Sequence, residues 1–176
     1  MKRIVKMFAI SMMVAIMSVV AVNAQSQGDM AVGGDLSIGM GDDYTNIGIG
    51  AKFRYNITDP IRLEGAFTYF VKKDHLSMWD FSAYGHYLFN VADGFTVYPL
   101  AGLGFFGSKV SVPKVEVPGV GTVGGGSVSN TDFVFTFGGG LDYALTSNLS
   151  LNAEMKYKVV DYMDRFVISA GITYKF

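Results

Sequence analysis

Residues 46–57 read NIGIGAKFRYNI, and every second side chain in this stretch is apolar. The odd-numbered positions carry isoleucine, alanine, phenylalanine and tyrosine, whereas the even-numbered ones carry asparagine, glycine, Lys52 and Arg54. Because successive side chains of a β-strand point to opposite faces, this alternation predicts a strand with one apolar and one polar face. The fold then depends on which medium the apolar face meets.

The same alternation recurs in seven other segments, so the sequence predicts eight strands in all. Turn-forming residues separate several of them, among them the pairs Asp59 with Pro60 and Asp93 with Gly94, and the tripeptide at 146–148. In each segment, we call the alternate positions that carry the apolar side chains the apolar phase. No charged residue, amide side chain or histidine occurs in the apolar phase of any segment. The predicted strands cover residues 30–40, 47–57, 61–71, 79–89, 95–105, 133–143, 149–157 and 165–176.

The remaining positions of the strands, the polar phase, combine many glycines with charges of both signs. This combination indicates a narrow interior rather than a solvated surface. The interior of an eight-stranded barrel is just wide enough for side chains to fill it. Aromatic residues lie near both ends of the apolar phase, as they do at the two interfaces of a membrane barrel. We therefore expect a lumen charge network made of Asp35, Lys52, Arg54, Arg62, Glu64, Asp80, Asp142, Glu154, Lys156, Lys158 and Lys175.

These patterns predict an all-β fold, an eight-stranded antiparallel up-and-down transmembrane β-barrel. The alternative is a soluble periplasmic barrel that binds lipid inside an apolar core, with its polar face in water. In the transmembrane barrel, the connections after even strands are short and periplasmic, and those after odd strands are longer and extracellular. The longest connection is expected at about residues 108–131, between the fifth and sixth strands.

The N-terminus has the features of an export signal. Three basic residues precede an apolar run over residues 7–22, and a small residue follows at Ala24. The run is slightly short for a retained membrane span. We predict a signal peptide over residues 1–24, cleavage between Ala24 and Gln25, and a barrel domain over residues 25–176.

Composition argues against several functional classes. The chain has no cysteine and two histidines, so we expect no thiol nucleophile, no disulfide, no metal site and no cofactor. The formal net charge of −1 gives no reason to expect a nucleic-acid partner. Residues 102–107 match the dinucleotide-binding string G-x-G-x-x-G, but no helix is predicted after them, and a phosphate-binding turn needs one.

Three short motifs carry a resemblance to a known family: YPLAG at 98–102, SAYGHYLF at 82–89 and the terminal GITYKF at 171–176. With the signal segment, they make the chain similar to the small outer-membrane β-barrels that include the transmembrane domain of OmpA and OmpX, especially porin-like members from bacteria of the Bacteroides type. The resemblance implies an integral outer-membrane location, with outer-membrane lipid and the assembly machinery as partners. It also implies an assembly signal in the last strand, at Phe166, Ile168, Ile172, Tyr174 and Phe176.

The function predicted from these features is a non-enzymatic one, either structural or in surface interaction through extracellular loops that bind an external ligand. One alternative is an outer-membrane acyl-transfer enzyme, because Asp74, His75 and Ser77 are neighbours in one connection. A pore is the other, although a barrel of this size has little free bore. We expect His86 to be a hydrogen-bonded lumen residue rather than a metal ligand.

Overall fold

The computed structural model describes residues 26–41, 45–73, 76–117, 121–160 and 164–176. No helix among these residues is long and apolar enough to cross a membrane. Leu88 separates two consecutive strands, β4 and β5, which both pair with β6 and together make one strand of the sheet. The strands are β1 (Met30–Met40), β2 (Thr45–Asn56), β3 (Ile61–Lys73), β4 (Leu76–Tyr87), β5 (Phe89–Ala92), β6 (Phe95–Val117), β7 (Gly121–Ala144), β8 (Leu149–Val160) and β9 (Arg165–Lys175).

The strands form one closed antiparallel sheet. Consecutive strands pair in sequence order, except that β4 and β5 both pair with β6 instead of with each other. β1 also pairs with β9, from Ala31 opposite Lys175 to Met40 opposite Phe166. The pairing of β4 with β6 completes the ring. With β4 and β5 counted as one, the barrel has eight strands, as the sequence predicts, and closure leaves no sheet edge along its wall.

The outer wall of the barrel is apolar. Leu36 is 64% exposed and Ile49 is 61% exposed, whereas Arg54 is 2% exposed and Glu64 is 1% exposed. An apolar wall around a polar interior is the arrangement of a barrel that stands in lipid. The alternative with the apolar face inside is therefore wrong, because the buried side is the one that carries the charges.

Aromatic side chains mark both ends of the wall. At one end Phe105 and Phe133 meet edge to face with ring centres 6.1 Å apart, and at the other Phe95 and Tyr143 lie 4.5 Å apart. Side chains of this kind favour the interfaces between hydrocarbon and headgroups. The exposed Trp79 lies at the first of these ends.

We call the end with Phe95 and Tyr143 the short-turn end, because tight turns at residues 57–60, 93–94 and 145–148 lie there. Gly94 adopts a φ of 77° in its turn, a conformation that favours glycine, and its carbonyl accepts a hydrogen bond of 2.8 Å from the Ala144 amide. The described chain also enters and leaves the barrel at this end, where the Phe176 amide donates to the Met30 carbonyl at 3.0 Å.

At the opposite end, the connection predicted at about residues 108–131 consists largely of paired strands. β6 and β7 continue to pair beyond the barrel, from Val110 opposite Val128 to Val117 opposite Gly121. The three successive glycines at 124–126 do not prevent this pairing, and the two segments satisfy each other's backbone groups as a hairpin. We call residues 111–117 and 121–133 the arm, and the end of the barrel that bears it the arm end.

Candidate functional site

Arg54 is the centre of the polar lumen. Its Nε donates to Glu64 at 2.6 Å, its Nη1 to Asp142 at 3.1 Å, and its Nη2 to Glu154 at 2.7 Å. Nη2 also lies 3.2 Å from the Tyr98 hydroxyl. One guanidinium on β2 thereby joins β3, β7 and β8 across the interior, which is the kind of multiple charge-assisted bonding that a buried cation requires.

A second arginine extends the network towards the short-turn end. Arg62 Nη1 donates to Asp142 at 2.7 Å, and its Nε donates to His86 Nδ1 at 3.1 Å. The guanidinium carbon of Arg62 lies 4.5 Å from the centre of the Tyr98 ring, on which the His86 imidazole also stacks at 4.7 Å. His86 is thus a hydrogen-bonded lumen residue, as expected.

Lysines from β2 and β8 complete the charge pairing. Lys52 Nζ lies 3.1 Å from Asp35 and 3.2 Å from Glu154, and Lys156 Nζ lies 2.6 Å from the same glutamate. Nearer the arm end, Lys158 Nζ lies 2.6 Å from Asp80. Among the described residues, six buried cationic side chains face five buried carboxylates, so the lumen is close to neutral.

Of the predicted network, only Lys175 stands apart. Its ammonium pairs with Asp29 at 3.3 Å at the short-turn mouth, where its side chain is 36% exposed. Asp29 Oδ2 also accepts from the Ser26 amide at 2.9 Å. Lys175 therefore fastens the chain at the mouth instead of joining the pairs around Arg54.

Little space is left inside the polar lumen. A cavity of about 70 Å³ opens at the short-turn mouth, with Arg54, Arg62 and Asp142 in its lining. That volume suits a few water molecules. Glycines are needed where side chains cross the lumen: a Cβ on Gly140 would lie 2.7 Å from the Tyr98 ring, and one on Gly50 would lie 2.5 Å from Asp35 Oδ1.

Toward the arm end the lumen filling becomes apolar. Phe70, Met78 and Phe106 pack with Val134 and Val160 in one buried cluster. These residues were missed at the sequence level, although Phe70 and Phe106 lie in the polar phase of their strands and the alternation itself places them inside. An apolar layer therefore lies above the charge network and closes this part of the lumen.

Arg165 is buried against that apolar cluster. Its guanidinium carbon lies 4.2 Å from the centre of the Phe70 ring and 4.8 Å from that of Phe106, and its Nη1 lies 3.9 Å from Met78 Sδ. Cation–π contacts of this kind stabilise a cation that has lost water. The sequence prediction placed Arg165 in the last strand but did not include it in the lumen charge network.

The other predicted sites are placed as follows. Ile168, Ile172, Tyr174 and Phe176 are exposed on the outer wall along β9 and its end, and their role in assembly stays a prediction. The predicted cleavage position, Ala24 with Gln25, and two members of the proposed acyl-transfer trio, Asp74 and His75, lie outside the described residues. The hydroxyl of the third member, Ser77, donates to the backbone carbonyl of Lys109 at 3.4 Å.

The G-x-G-x-x-G string lies inside β6. Gly102 pairs with Tyr84 of β4 and with Thr136 of β7, and Gly104 pairs with Ser82 and Val134. The backbone groups of this stretch are committed to a β-ladder between two strands. The string therefore does not form the strand-turn-helix unit of a dinucleotide site.

The arm differs from the rest of the sheet because each of its strands has one neighbour among the described residues. β4 pairs with β6 only as far as Leu76 opposite Val110, and β8 pairs with β7 only as far as Val134 opposite Val160. Val128 belongs to the alternate positions of β7 that face the lumen within the barrel, yet its side chain is 73% exposed. The arm is a two-stranded ribbon that projects from the barrel with both edges open.

The family model described as outer membrane protein beta-barrel domain matches residues 8–176. No curated protein matches the sequence. Several solved structures share the fold at low sequence identity, which is a likeness of architecture alone.

The crystal structure of Ail, the attachment invasion locus protein of Yersinia pestis, is 20% identical with a TM-score of 0.57, over 85% of this chain and 99% of that one. Neisserial surface protein A is 17% identical with a TM-score of 0.65, over 84% and 96%. A second structure of Ail, in complex with the heparin analogue sucrose octasulfate, is 19% identical with a TM-score of 0.59, over 85% and 99%.

Proposed function

The chain belongs to the family of outer-membrane β-barrel domains and is an integral protein of the outer membrane, and we propose that it acts there as a non-enzymatic surface-interaction protein. The barrel anchors the chain, and the arm is the part that recognises an external ligand. The arm end then faces outward and the short-turn end faces the periplasm, which is the orientation of bacterial barrels with short periplasmic turns.

The filled lumen supports a role without transport. The bonds of Arg54 to Glu64, Asp142 and Glu154 cross the bore, and the apolar cluster around Phe106 lies above them. A continuous water path would require both layers to open. We therefore propose that the barrel conducts few or no ions, and purified protein in planar bilayers tests this: stable open channels would contradict it.

The observation that carries the proposed function is the open edge of the arm. Backbone N–H and C=O groups along an unpaired edge are a template for another extended strand. The β6 edge is short and contains Pro113, which has no N–H to donate. Residues 121–133 of β7 contain no proline, lysine or arginine, so the β7 edge is the one that can accept a partner strand.

The charge of the arm favours a protein ligand. The arm contains one basic residue, Lys114, and two acidic ones, Glu116 and Asp132. A sulfated polysaccharide such as the heparin analogue seen with Ail is bound best by a cluster of basic side chains. For this chain we therefore propose an extended peptide segment of a partner protein, held by backbone hydrogen bonds along β7.

Two variants test the proposal in the full-length chain. The first replaces residues 111–127 by Asn-Gly, a two-residue turn that can join Val110 to Val128, since these are already partners. The second keeps the arm but introduces Val123→Lys and Ser127→Lys, because lysines discourage pairing at an edge. A heat-dependent shift in gel mobility shows that each barrel is still closed.

Binding of the purified proteins to arrays of immobilised extracellular proteins and glycans, heparin included, gives the readout. We expect the wild type to bind protein spots and both variants to lose that binding by about tenfold or more. Binding that is unchanged in both variants would contradict the proposed role of the arm. Binding to heparin alone would contradict the choice of a protein ligand.

Biogenesis is a further part of the proposal. We propose export by a signal peptide cleaved between Ala24 and Gln25, and recognition of the last strand, ending at Phe176, by the outer-membrane assembly machinery. The exposed apolar row of Ile168, Ile172 and Tyr174 supports the second point. N-terminal sequencing of the mature protein tests the cleavage, and deletion of Phe176 should lower the amount of folded protein in the outer membrane.

A further inference from the structure

Among the described side chains of the barrel strands, one exposed charged residue interrupts the apolar outer wall. Lys109 follows Phe105 and Gly107 in the outward phase of β6, and it is exposed. No other described side chain of the barrel strands places an exposed charge on this wall. None of the ion pairs among the described residues includes its ammonium. A lone exposed ammonium at this level of a membrane protein has lipid headgroups as its neighbours.

The depth of Lys109 is set by the aromatic residues beneath it. Trp79 pairs with Gly107, and its indole lies across β6 at that glycine, where a Cβ would collide with the ring. Indole side chains favour the headgroup level of a bilayer. Lys109 lies two residues further along the strand, roughly 7 Å at the usual rise. Its ammonium is thus at the height of the lipid phosphates.

Two hydroxyls flank this ammonium. Ser77 of β4 and Ser129 of β7 are the cross-strand partners of Lys109 on either side, and all three lie in the outward phase. Neighbouring strands are about 4.8 Å apart, so the three side chains span about 10 Å. The Ser77 hydroxyl has only a long bond of 3.4 Å to the Lys109 carbonyl, which a better acceptor could replace.

We propose that Ser77, Lys109 and Ser129 form a binding site for the phosphate of a lipid headgroup in the leaflet around the arm end. The ammonium supplies the charge, and the two hydroxyls donate to phosphate oxygens from either side. Phosphate monoester headgroups fit best, because their greater charge and free oxygens suit three converging donors. The site, to which the arm contributes Ser129, fixes one lipid beside the base of the arm.

The single tryptophan of the chain allows a direct test, because Trp79 lies immediately below the site. The full chain is folded into phosphatidylcholine vesicles that contain either phosphatidic acid or phosphatidylcholine with bromine on the upper part of the acyl chains. Bromine quenches tryptophan at contact, so the quenching reports which lipid occupies the place beside Trp79. Brominated phosphatidylcholine alone checks that Trp79 meets lipid equally in every variant.

We expect the wild type to favour phosphatidic acid over phosphatidylcholine at this place by about fivefold, the effect of one basic side chain near a membrane surface. Lys109→Ala should abolish the preference, Lys109→Arg should keep most of it, and Ser77→Ala with Ser129→Ala should lower it about twofold. Lys175→Ala, at the short-turn mouth, is the matched control and should leave it unchanged. A wild type without preference, or a preference that persists in Lys109→Ala, would overturn the site.

Discussion

The barrel wall and the arm are built from the same two strands, β6 and β7, yet they are held in different ways. In the wall, both strands have a neighbour on each side, and their inward side chains pack into a filled lumen. In the arm, each strand pairs only with the other among the described residues. A two-stranded ribbon alone is marginally stable in water. The comparison indicates that the barrel's stability comes from closure and lumen packing, and that the arm adds little to it.

The largest difference between barrel and arm is expected when Arg54, at the centre of the lumen network, is removed. Arg54→Ala would remove the cation that Glu64, Asp142 and Glu154 share. Asp142 keeps Arg62 and Glu154 keeps two lysines, but Glu64 loses its one ion-pair partner among the described residues, and an uncompensated buried charge is costly. We expect the free energy of unfolding to fall by about 3–5 kcal/mol. Urea unfolding in lipid vesicles, followed by Trp79 fluorescence, measures it.

Lys114→Ala is the matched control for that experiment, since it removes a cation from the arm. It should change the free energy of unfolding by less than about 0.5 kcal/mol. Equal effects of Arg54→Ala and Lys114→Ala would show that the lumen network is not what stabilises the barrel.

The apolar layer near the arm end gives a second contrast. Phe106 packs with Phe70 and Val134 and lies against the Arg165 guanidinium, so Phe106→Ala creates a cavity inside the lumen. We expect a loss of about 3 kcal/mol. Val128→Ala removes an exposed valine of the arm and should cost under about 0.5 kcal/mol. The same urea titration compares the two, and a Phe106→Ala protein as stable as Val128→Ala would contradict a packed apolar layer.

Two glycines, one on the inner and one on the outer face of the barrel wall, test how tightly the lumen is packed. A Cβ on Gly140 would press on the Tyr98 ring inside the lumen, whereas one on Gly65 would meet nothing within 4 Å. Gly140→Ala should lower the free energy of unfolding by about 1–3 kcal/mol through overpacking. Gly65→Ala should be neutral or slightly stabilising, because alanine loses less entropy on folding. The urea concentrations at the unfolding midpoints compare the two variants. A Gly65→Ala protein less stable than Gly140→Ala would mean that the inner and outer faces of the wall are assigned wrongly.

The smallest effect is expected from shortening the arm itself. Replacing residues 111–127 by Asn-Gly should shift the free energy of unfolding by less than about 0.5 kcal/mol, since no lumen contact is lost. The heat-dependent mobility shift should also be retained. A loss above about 2 kcal/mol would show that the arm is part of the barrel's cooperative unit.

The alternation predicts the barrel because lipid constrains every strand in the same way. The alternation in NIGIGAKFRYNI places Arg54 on the polar face of its strand. Its charge therefore lies inside the barrel, and a charge inside must be paired. The sequence cannot specify which carboxylates Arg54 reaches, because Asp142 and Glu154 come from strands about 90–100 residues away along the chain. That pairing depends on the registers of the closed sheet, which alternation does not determine.

The pairing of the arm does not follow from alternation for a related reason. Most of residues 111–133 lie beyond the wall that lipid and lumen constrain, so no regular alternation marks them as strands. Pairing between the two halves nevertheless continues from Val110 to Val117. Arg165 was missed because it contacts the rings of Phe70 and Phe106, and no charge pattern along the chain reports such contacts.

Native-state hydrogen exchange, read along the whole chain in detergent or lipid, tests the separation of barrel and arm most directly. We expect amides in the barrel parts of β1, β2, β8 and β9 to exchange only through global unfolding, and therefore to accelerate with low concentrations of urea. Amides at 111–117 and 121–133 should exchange through local opening, faster and with no dependence on urea. Slow exchange in the arm with the same urea dependence as in the barrel would contradict the account.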